Sequence, residues 1–398
     1  MTSNELKDRV QKEAVTAWLK SNKRGTFELS TGVGKTIAAL HCLSTMPKND
    51  GKVHLFLAET NSREKDLESD IKLYNDLFKI NLRDHYNIVF KCYQGVYELK
   101  GYEFGLVIAD EFHNSLSPSY SQFYYNNKYD AIVGLSATIA RNIEYEIDGH
   151  TITKGDMLDD IAPVCYKYSI SKSLDDGIGR ELNVYVIESE LNSVDKTELS
   201  GSSTKKFYQT ELSKYEYLEK NYKRSFFTLN ANKELMINVN YKKMSEFIYN
   251  LNSKVNQAKM LVNSIPGKSI IFSNSLNAVL KVTPNVVSSY NTDEQNDKIR
   301  DDFDKGRIKT IGSFKKLRQG ANLNELDNVI LMSYYGQETH IVQQVGSLRK
   351  NGELPGNVFI FVTKNTFEEK VLTKILNYIP YKNLKVYKNV ENLIKEFL

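Results

Sequence analysis

Short apolar runs recur along this chain, separated by stretches whose apolar positions fall at helical spacing. In the first half the runs are Thr26–Leu29, Val53–Ala58, Ile88–Cys92, Leu106–Ala109 and Ile132–Leu135. In the second half they are Ser269–Phe272, Val286–Ser288, Ile308–Ile311, Val329–Met332 and Val358–Val362. Near-continuous apolar strands alternating with helices predict parallel sheets buried on both faces. Leu6, Val10, Ala14, Ala17 and Trp18 predict a leading helix. The pattern is broken once. Residues 144–179 turn to Gly, Asp and short polar pieces and read as a connector, followed by a strand at Leu182–Ile187. Lys205–Lys259 contains neither Pro nor Gly and predicts helices, and 367–398 predicts one or two closing helices. The expected organisation is α/β: two tandem units, 1–165 and 166–398, the second carrying a helical insertion at about 200–262.

Composition narrows the class without choosing a function. At 398 residues, with 41% hydrophobic and 26% charged content, the chain has the make-up of a soluble globular protein. A net charge of only +4 means that any surface for a polyanion must be local. Cys42, Cys92 and Cys165 lack metal-ligand spacing and fit a reducing compartment. No run approaches the roughly 20 apolar residues of a membrane span, and no signal-peptide core opens the chain, so a cytoplasmic protein without a membrane partner is expected.

The chemistry concentrates after two of the strands. Ser30-Thr31-Gly32-Val33-Gly34-Lys35-Thr36 joins a strand to a helix start. Such a loop aims backbone N–H groups at one point, where phosphates are held. Thr31, Gly32, Val33, Gly34, Lys35 and Thr36 are therefore the expected ATP-binding residues, with Lys35 on the β- and γ-phosphates and Thr36 on Mg²⁺. Leu29 stands where the full pattern has a small residue, and an ordinary strand–helix turn with a solvated lysine has the same look. The run 106–109 ends in Asp110-Glu111-Phe112-His113. Asp110 is expected beside the phosphate loop of the neighbouring strand, holding Mg²⁺, with Glu111 activating the attacking water.

With these motifs in hand, the chain resembles superfamily-2 helicases of the DEAD/DEAH kind, nearly end to end. Asp110–His113 stands at their DExH box, and Gly134-Leu135-Ser136-Ala137-Thr138 resembles their Ser-Ala-Thr motif. Gln11 stands where they read the adenine. Ile270–Ser273, Ser313–Leu323 and Gln343–Lys350 resemble motifs IV, V and VI. The linker Ala162-Pro163-Val164 running into Tyr166–Ile170 is similar to compact phage-type helicases of the UvsW and XPB branch, which would place the protein in a phage-infected bacterial cytoplasm. The resemblance implies two tandem RecA-like domains and ATP with Mg²⁺ as cofactors. It implies catalysis by Glu111, Lys35, Gln343 and Arg349, further nucleotide contacts from Gly320 and Asn322, and coupling through His113, Ser136 and Thr138. It also implies a nucleic-acid track at Thr60, Asn61, Arg63, Tyr93, Gln94, Ser273, Asn274, Ser313 and Lys315. Capped helix starts would account for many of these small polar residues equally well.

Motif VI departs from the family. Ser347 replaces the arginine that follows the glycine, and Gln344 replaces another. Arginines there stabilise transition-state charge, so reduced hydrolysis is expected, with Arg349 serving. On one helix, positions 347 and 349 would face roughly 200° apart. The insertion carries eleven Lys/Arg against five Asp/Glu between 205 and 259, interleaved with Tyr208, Tyr215, Tyr217, Tyr222, Phe226 and Phe227. This suits stacking on bases, and it equally suits a solvated lysine face over an aromatic core stripe. The expected function is an ATP-dependent helicase or translocase acting on nucleic acid, DNA rather than RNA, as a monomer open to partner proteins. A nucleotide-gated binder with little turnover and the motor subunit of a restriction complex are the alternatives.

Overall fold

The structure is a computed structural model that describes residues 3–147, 149–202, 205–227, 232–314, 323, 325–334, 336–348 and 354–397. It divides into two compact units, Met1–Arg180 and Glu181–Leu398.

The first unit opens with α1 (Ser3–Lys20), β1 (Arg24–Leu29) and α2 (Lys35–Ser44). It continues with β2 (Val53–Ala58), α3 (Ser62–Phe78), β3 (Asn87–Cys92), β4 (Glu103–Ala109), α4 (Gln122–Asn126) and β5 (Lys128–Ser136). A small hairpin, β6 (Glu144–Ile147) with β7 (His150–Thr153), leads to α5 (Lys154–Ile161), β8 (Val164–Tyr168) and α6 (Ile170–Asp175). The sheet order is β3-β2-β4-β5-β1-β8, with every pairing parallel. Its faces bury separate clusters, one around Trp18, Phe27, Leu40 and Phe56, the other around Leu55, Val107, Phe112 and Phe123. That is why its strands read as unbroken apolar runs.

Two expectations change here. The unit ends at Arg180 rather than at 165, because β8 pairs with β1: Phe27 lies opposite Tyr166 and Leu29 opposite Tyr168. The connector at 144–179 is thus mostly structured. Furthermore, β5 lies between β4 and β1, so the strand delivering Asp110 is not the neighbour of the strand before the phosphate loop.

The second unit comprises β9 (Leu182–Ser189), β10 (Thr197–Ser202), β11 (Lys205–Gln209), α7 (Glu211–Ser225), α8 (Lys233–Tyr249) and α9 (Asn252–Ser264). It goes on through β12 (Lys268–Phe272), α10 (Leu276–Val282), β13 (Val286–Ser288), α11 (Asp293–Asp304), β14 (Thr310–Phe314) and β15 (Leu326–Leu331). It closes with α12 (Glu338–Val345), β16 (Gly356–Thr363), α13 (Phe367–Leu376), β17 (Asn383–Tyr387) and α14 (Val390–Ile394). The sheet is again parallel throughout, in the order β13-β14-β12-β15-β16-β9-β17. β9, first in sequence, sits between β16 and β17. β11, the second strand of the β10–β11 hairpin, and the edge strand β17 fall where helices were expected.

The insertion has a small core of its own, formed by Leu191, Tyr215, Leu218, Met244, Ile248 and Leu251. The backbone N–H of Phe367 donates to the Tyr215 hydroxyl at 3.0 Å, and Tyr222 packs with Tyr241 at 5.5 Å between ring centroids. Tyr215 and Tyr222 therefore belong to a core stripe, whereas Tyr208, Tyr217, Phe226 and Phe227 are exposed. Among the described residues no helix is long and apolar enough to cross a membrane.

Candidate nucleotide-binding site

The strands of the first sheet all point the same way, so the loops leaving β1, β2, β3, β4 and β5 gather at one edge. The loop after β1 turns through two glycines in left-handed backbone, Gly32 at φ 84° and Gly34 at φ 89°. Gly34 is also the residue before α2, and a Cβ there would lie 2.6 Å from Nε2 of Gln11. That close approach lets Gln11, buried on α1, donate to the Val33 carbonyl at 2.8 Å. Gln11, the expected adenine reader, thus braces the phosphate loop. The Ser30 hydroxyl is buried without a hydrogen-bond partner among the described residues.

β4 carries Asp110 to the edge, with its main chain held on both sides. Its N–H donates to the Leu57 carbonyl at 2.8 Å, and its carbonyl accepts from the Tyr93 hydroxyl at 2.7 Å. Glu111 follows in left-handed backbone at φ 47°, a conformation costly for a residue with a Cβ. This bend brings Glu111 Oε1 to 3.0 Å from Lys35 Nζ, both side chains only about one-sixth exposed (15% and 16%). Phe112 packs across Gly134, where a Cβ would come within 2.5 Å of the ring.

His113 Nδ1 lies 2.9 Å from the Ser136 hydroxyl, which itself donates to the Thr138 carbonyl at 2.8 Å. Since a hydroxyl has one proton, Nδ1 is the protonated nitrogen of the ring. The contact joins the β4 and β5 loops. Lys154, which no motif singles out, donates to the His113 carbonyl at 2.9 Å from a buried position, and burial lowers its pKa.

The donor set fits a hard divalent cation. Thr36 and Asp110 are brought together at this edge, and oxygen donors of this kind suit Mg²⁺. Among the described residues no cluster of three or more His, Cys, Asp or Glu side chains is placed for a metal. The cation would therefore depend on phosphate oxygens and water for its remaining ligands.

The expected nucleic-acid residues divide. Thr60, Asn61 and Gln94 are exposed at the same edge. Tyr93 is not on the surface: it is 2% exposed, a core residue clamping Asp110. Arg63 turns inward, with Nε donating to Asp110 Oδ2 at 2.7 Å and Nη2 to Thr36 Oγ1 at 2.6 Å. A run of carboxylates, Asp66, Asp70 and Asp110, attracts it there. In the second unit Ser273 and Ser313 are buried, and the N–H of Asn274 donates to the Ser333 hydroxyl at 2.6 Å. Gln343 is buried on α12. Gly346 caps that helix, so 347 lies beyond its end rather than on it. Ser347 is 3% exposed, its hydroxyl 3.4 Å from the Gln343 carbonyl. Lys315, Gly320, Asn322 and Arg349 lie outside the described residues.

A phosphate loop and an Asp-Glu turn stand on one edge of a parallel sheet, and a second parallel-sheet unit follows. The family described as Type III restriction enzyme, res subunit, matches residues 6–141. The chain is 23% identical over 387 residues to the DNA 3'-5' translocase XPB2 of Sulfurisphaera tokodaii, covering 92% of this chain and 83% of that protein. Its fold is similar to that of S. cerevisiae Dbp5 bound to RNA and ADP BeF3, with a TM-score of 0.60, 14% identity and coverage of 98% and 93%. It is also similar to the Type ISP restriction-modification enzyme LlaBIII bound to DNA, with a TM-score of 0.58 and 14% identity, over 98% of this chain and 32% of that one. In sequence and fold the chain is similar to helicases and translocases of superfamily 2, an ATP-hydrolysing class.

Proposed function

We propose that this protein is an ATP-dependent DNA helicase or translocase. The observation that carries the reading is the meeting of Lys35 with Glu111 at 3.0 Å, on an edge shared with Thr36 and Asp110. Bound Mg²⁺ would offset charge on the β- and γ-phosphates. The loop 31–34 would cradle the phosphates with its N–H groups, Lys35 would leave Glu111 for them, and Gln11 would contact the adenine. Thr36 and Asp110 would hold the cation. Glu111, released from Lys35, would orient and deprotonate the attacking water. His113, Ser136 and Thr138 would carry the change between the two loops they join. From the resemblance, Gln343 and Arg349 of motif VI and Gly320 and Asn322 of motif V would also act in turnover.

For the track we retain Thr60, Asn61, Gln94, Asn274 and Lys315. DNA is favoured over RNA because the curated relative XPB2 is described as a DNA translocase. We take the protein to act as a cytoplasmic monomer; the phage setting rests on the 162–170 linker alone. Phosphate release measured with single-stranded DNA, duplex DNA, branched DNA and RNA tests the proposal. Stimulation by RNA alone would overturn the DNA assignment, and absence of turnover with every polymer would leave a nucleotide-gated binder. The match of residues 6–141 to a restriction-enzyme subunit favours one second reading, a motor component whose turnover appears only with partner subunits.

A further inference from the structure

Arg63 occupies the place where a metal cation is expected. Its Nε donates to Asp110 Oδ2 at 2.7 Å and its Nη2 to Thr36 Oγ1 at 2.6 Å, so it binds both residues assigned to the cation. The other Asp110 oxygen, Oδ1, accepts from the Glu111 N–H at 3.1 Å, so both carboxylate oxygens are engaged. Asp70 Oδ2 lies 3.3 Å from Nη1 and Nη2, and the guanidinium carbon is 5.8 Å from the Phe56 ring centroid. The fork is thus held on three sides. An arginine is charged at any ordinary pH, and here Asp66, Asp70 and Asp110 surround it.

A divalent cation on Thr36 and Asp110 needs the lone pairs that Arg63 now takes, and two cations at one carboxylate repel. We propose that Arg63 is an internal competitor for the divalent cation, a resident counter-ion that Mg²⁺ must displace from Asp110 and Thr36. This rests on the reading of those two residues as the cation's ligands. Arg63 would then set the Mg²⁺ concentration at which nucleotide binds tightly. Its release has a ready destination in Asp70 and Asp66, within one to two turns on the same helix, α3.

The test is binding of fluorescent ADP to the full chain across a Mg²⁺ titration, for wild type, Arg63→Leu and Arg63→Lys. Charge-assisted hydrogen bonds of this kind correspond to about a tenfold to hundredfold change in equilibrium. Arg63→Leu is expected to lower the half-saturating Mg²⁺ concentration by about that factor, each variant's ADP affinity in EDTA serving as its own baseline. Mg²⁺ without nucleotide should raise the melting temperature of Arg63→Leu more than that of wild type. If the leucine variant does not fold, Arg63→Lys decides: it keeps the charge but loses the fork, so its Mg²⁺ midpoint should still fall. An unchanged or higher midpoint in the folded variants would overturn the proposal and make Arg63 a support for Asp110. Lys35→Ala is the separate control. If it binds ADP as wild type does, the phosphate site itself is misassigned; if it loses binding while the Arg63 variants match wild type, only the competitor role fails.

Discussion

Lys35 Nζ lies 3.0 Å from Glu111 Oε1, so the cation assigned to the phosphates and the carboxylate assigned to the water are each other's partner. Two substitutions separate their roles. Lys35→Ala should abolish nucleotide binding and turnover while leaving the protein folded, with some loss of melting temperature because the mostly buried Glu111 loses its partner. Glu111→Gln should keep Mg²⁺-dependent nucleotide binding and lose about 10²–10⁴ in turnover, the usual worth of a general base. Equilibrium binding and phosphate release on the same preparations check both; normal turnover in the glutamine variant would remove Glu111 from the reaction.

Motif VI yields a different expectation from the one its spacing gave. Ser347 is buried beyond the end of α12, so Ser347→Arg should lower the melting temperature and fail to raise turnover. Arg349→Ala should reduce kcat far more than it raises KM, because a finger acts on charge developed in the transition state. Steady-state kinetics decide it. A faster Ser347→Arg enzyme would show that position 347 reaches the nucleotide after all.

The insertion offers a salt-dependence test. Lys223 and Arg224 are exposed near the end of α7, close in sequence to the exposed Phe226 and Phe227. Replacing Lys220, Lys223 and Arg224 with glutamine should flatten the slope of log affinity against log salt by about 0.7–0.9 per lost phosphate contact. An unchanged slope would leave these helices as a solvated face.

Stability of the second unit should depend on one buried ion pair. Lys254 Nζ donates to both Glu368 oxygens at 2.7 Å, and the Thr363 N–H adds a bond to Oε2 at 2.9 Å. Lys254→Met alone strands the carboxylate and should cost about 3–5 kcal/mol, most of it recovered when Glu368→Leu is added. Circular dichroism during urea unfolding measures this. Trp18, the one tryptophan, lies in the first unit and should report little change. A single variant as stable as wild type would contradict the pair's assigned cost.

The strands buried on both faces were legible in the sequence because burial writes itself as unbroken apolar runs. The phosphate loop and the Asp-Glu turn were legible because their chemistry needs fixed spacing. β17 was not: its Asn-Leu-Lys-Val-Tyr run alternates over only five residues at the sheet edge with most side chains exposed, too short a period to stand out from the helices expected around it. β10 is equally plain in its polar Thr-Glu-Leu-Ser-Gly-Ser run. The inward placement of Arg63, which the resemblance put on the track, and Lys154 escaped for another reason. Each is an ordinary basic residue in sequence, and its meaning comes from acceptors 47 and 41 positions away.

The position of β9 bears on how the chain matures as it is synthesised. The first sheet holds all of its strands once Tyr168 has emerged, so that unit can settle while translation continues. The second cannot. β9 emerges first, yet both its neighbours, β16 and β17, are translated last, so Val184, Val186 and Ile187 wait unpaired until residues 356–387 arrive. Closing so long a loop is slow. A ribosome stalled anywhere between Ser189 and Gly356 would display a bare apolar strand, and in that interval the nascent protein would be most dependent on chaperones.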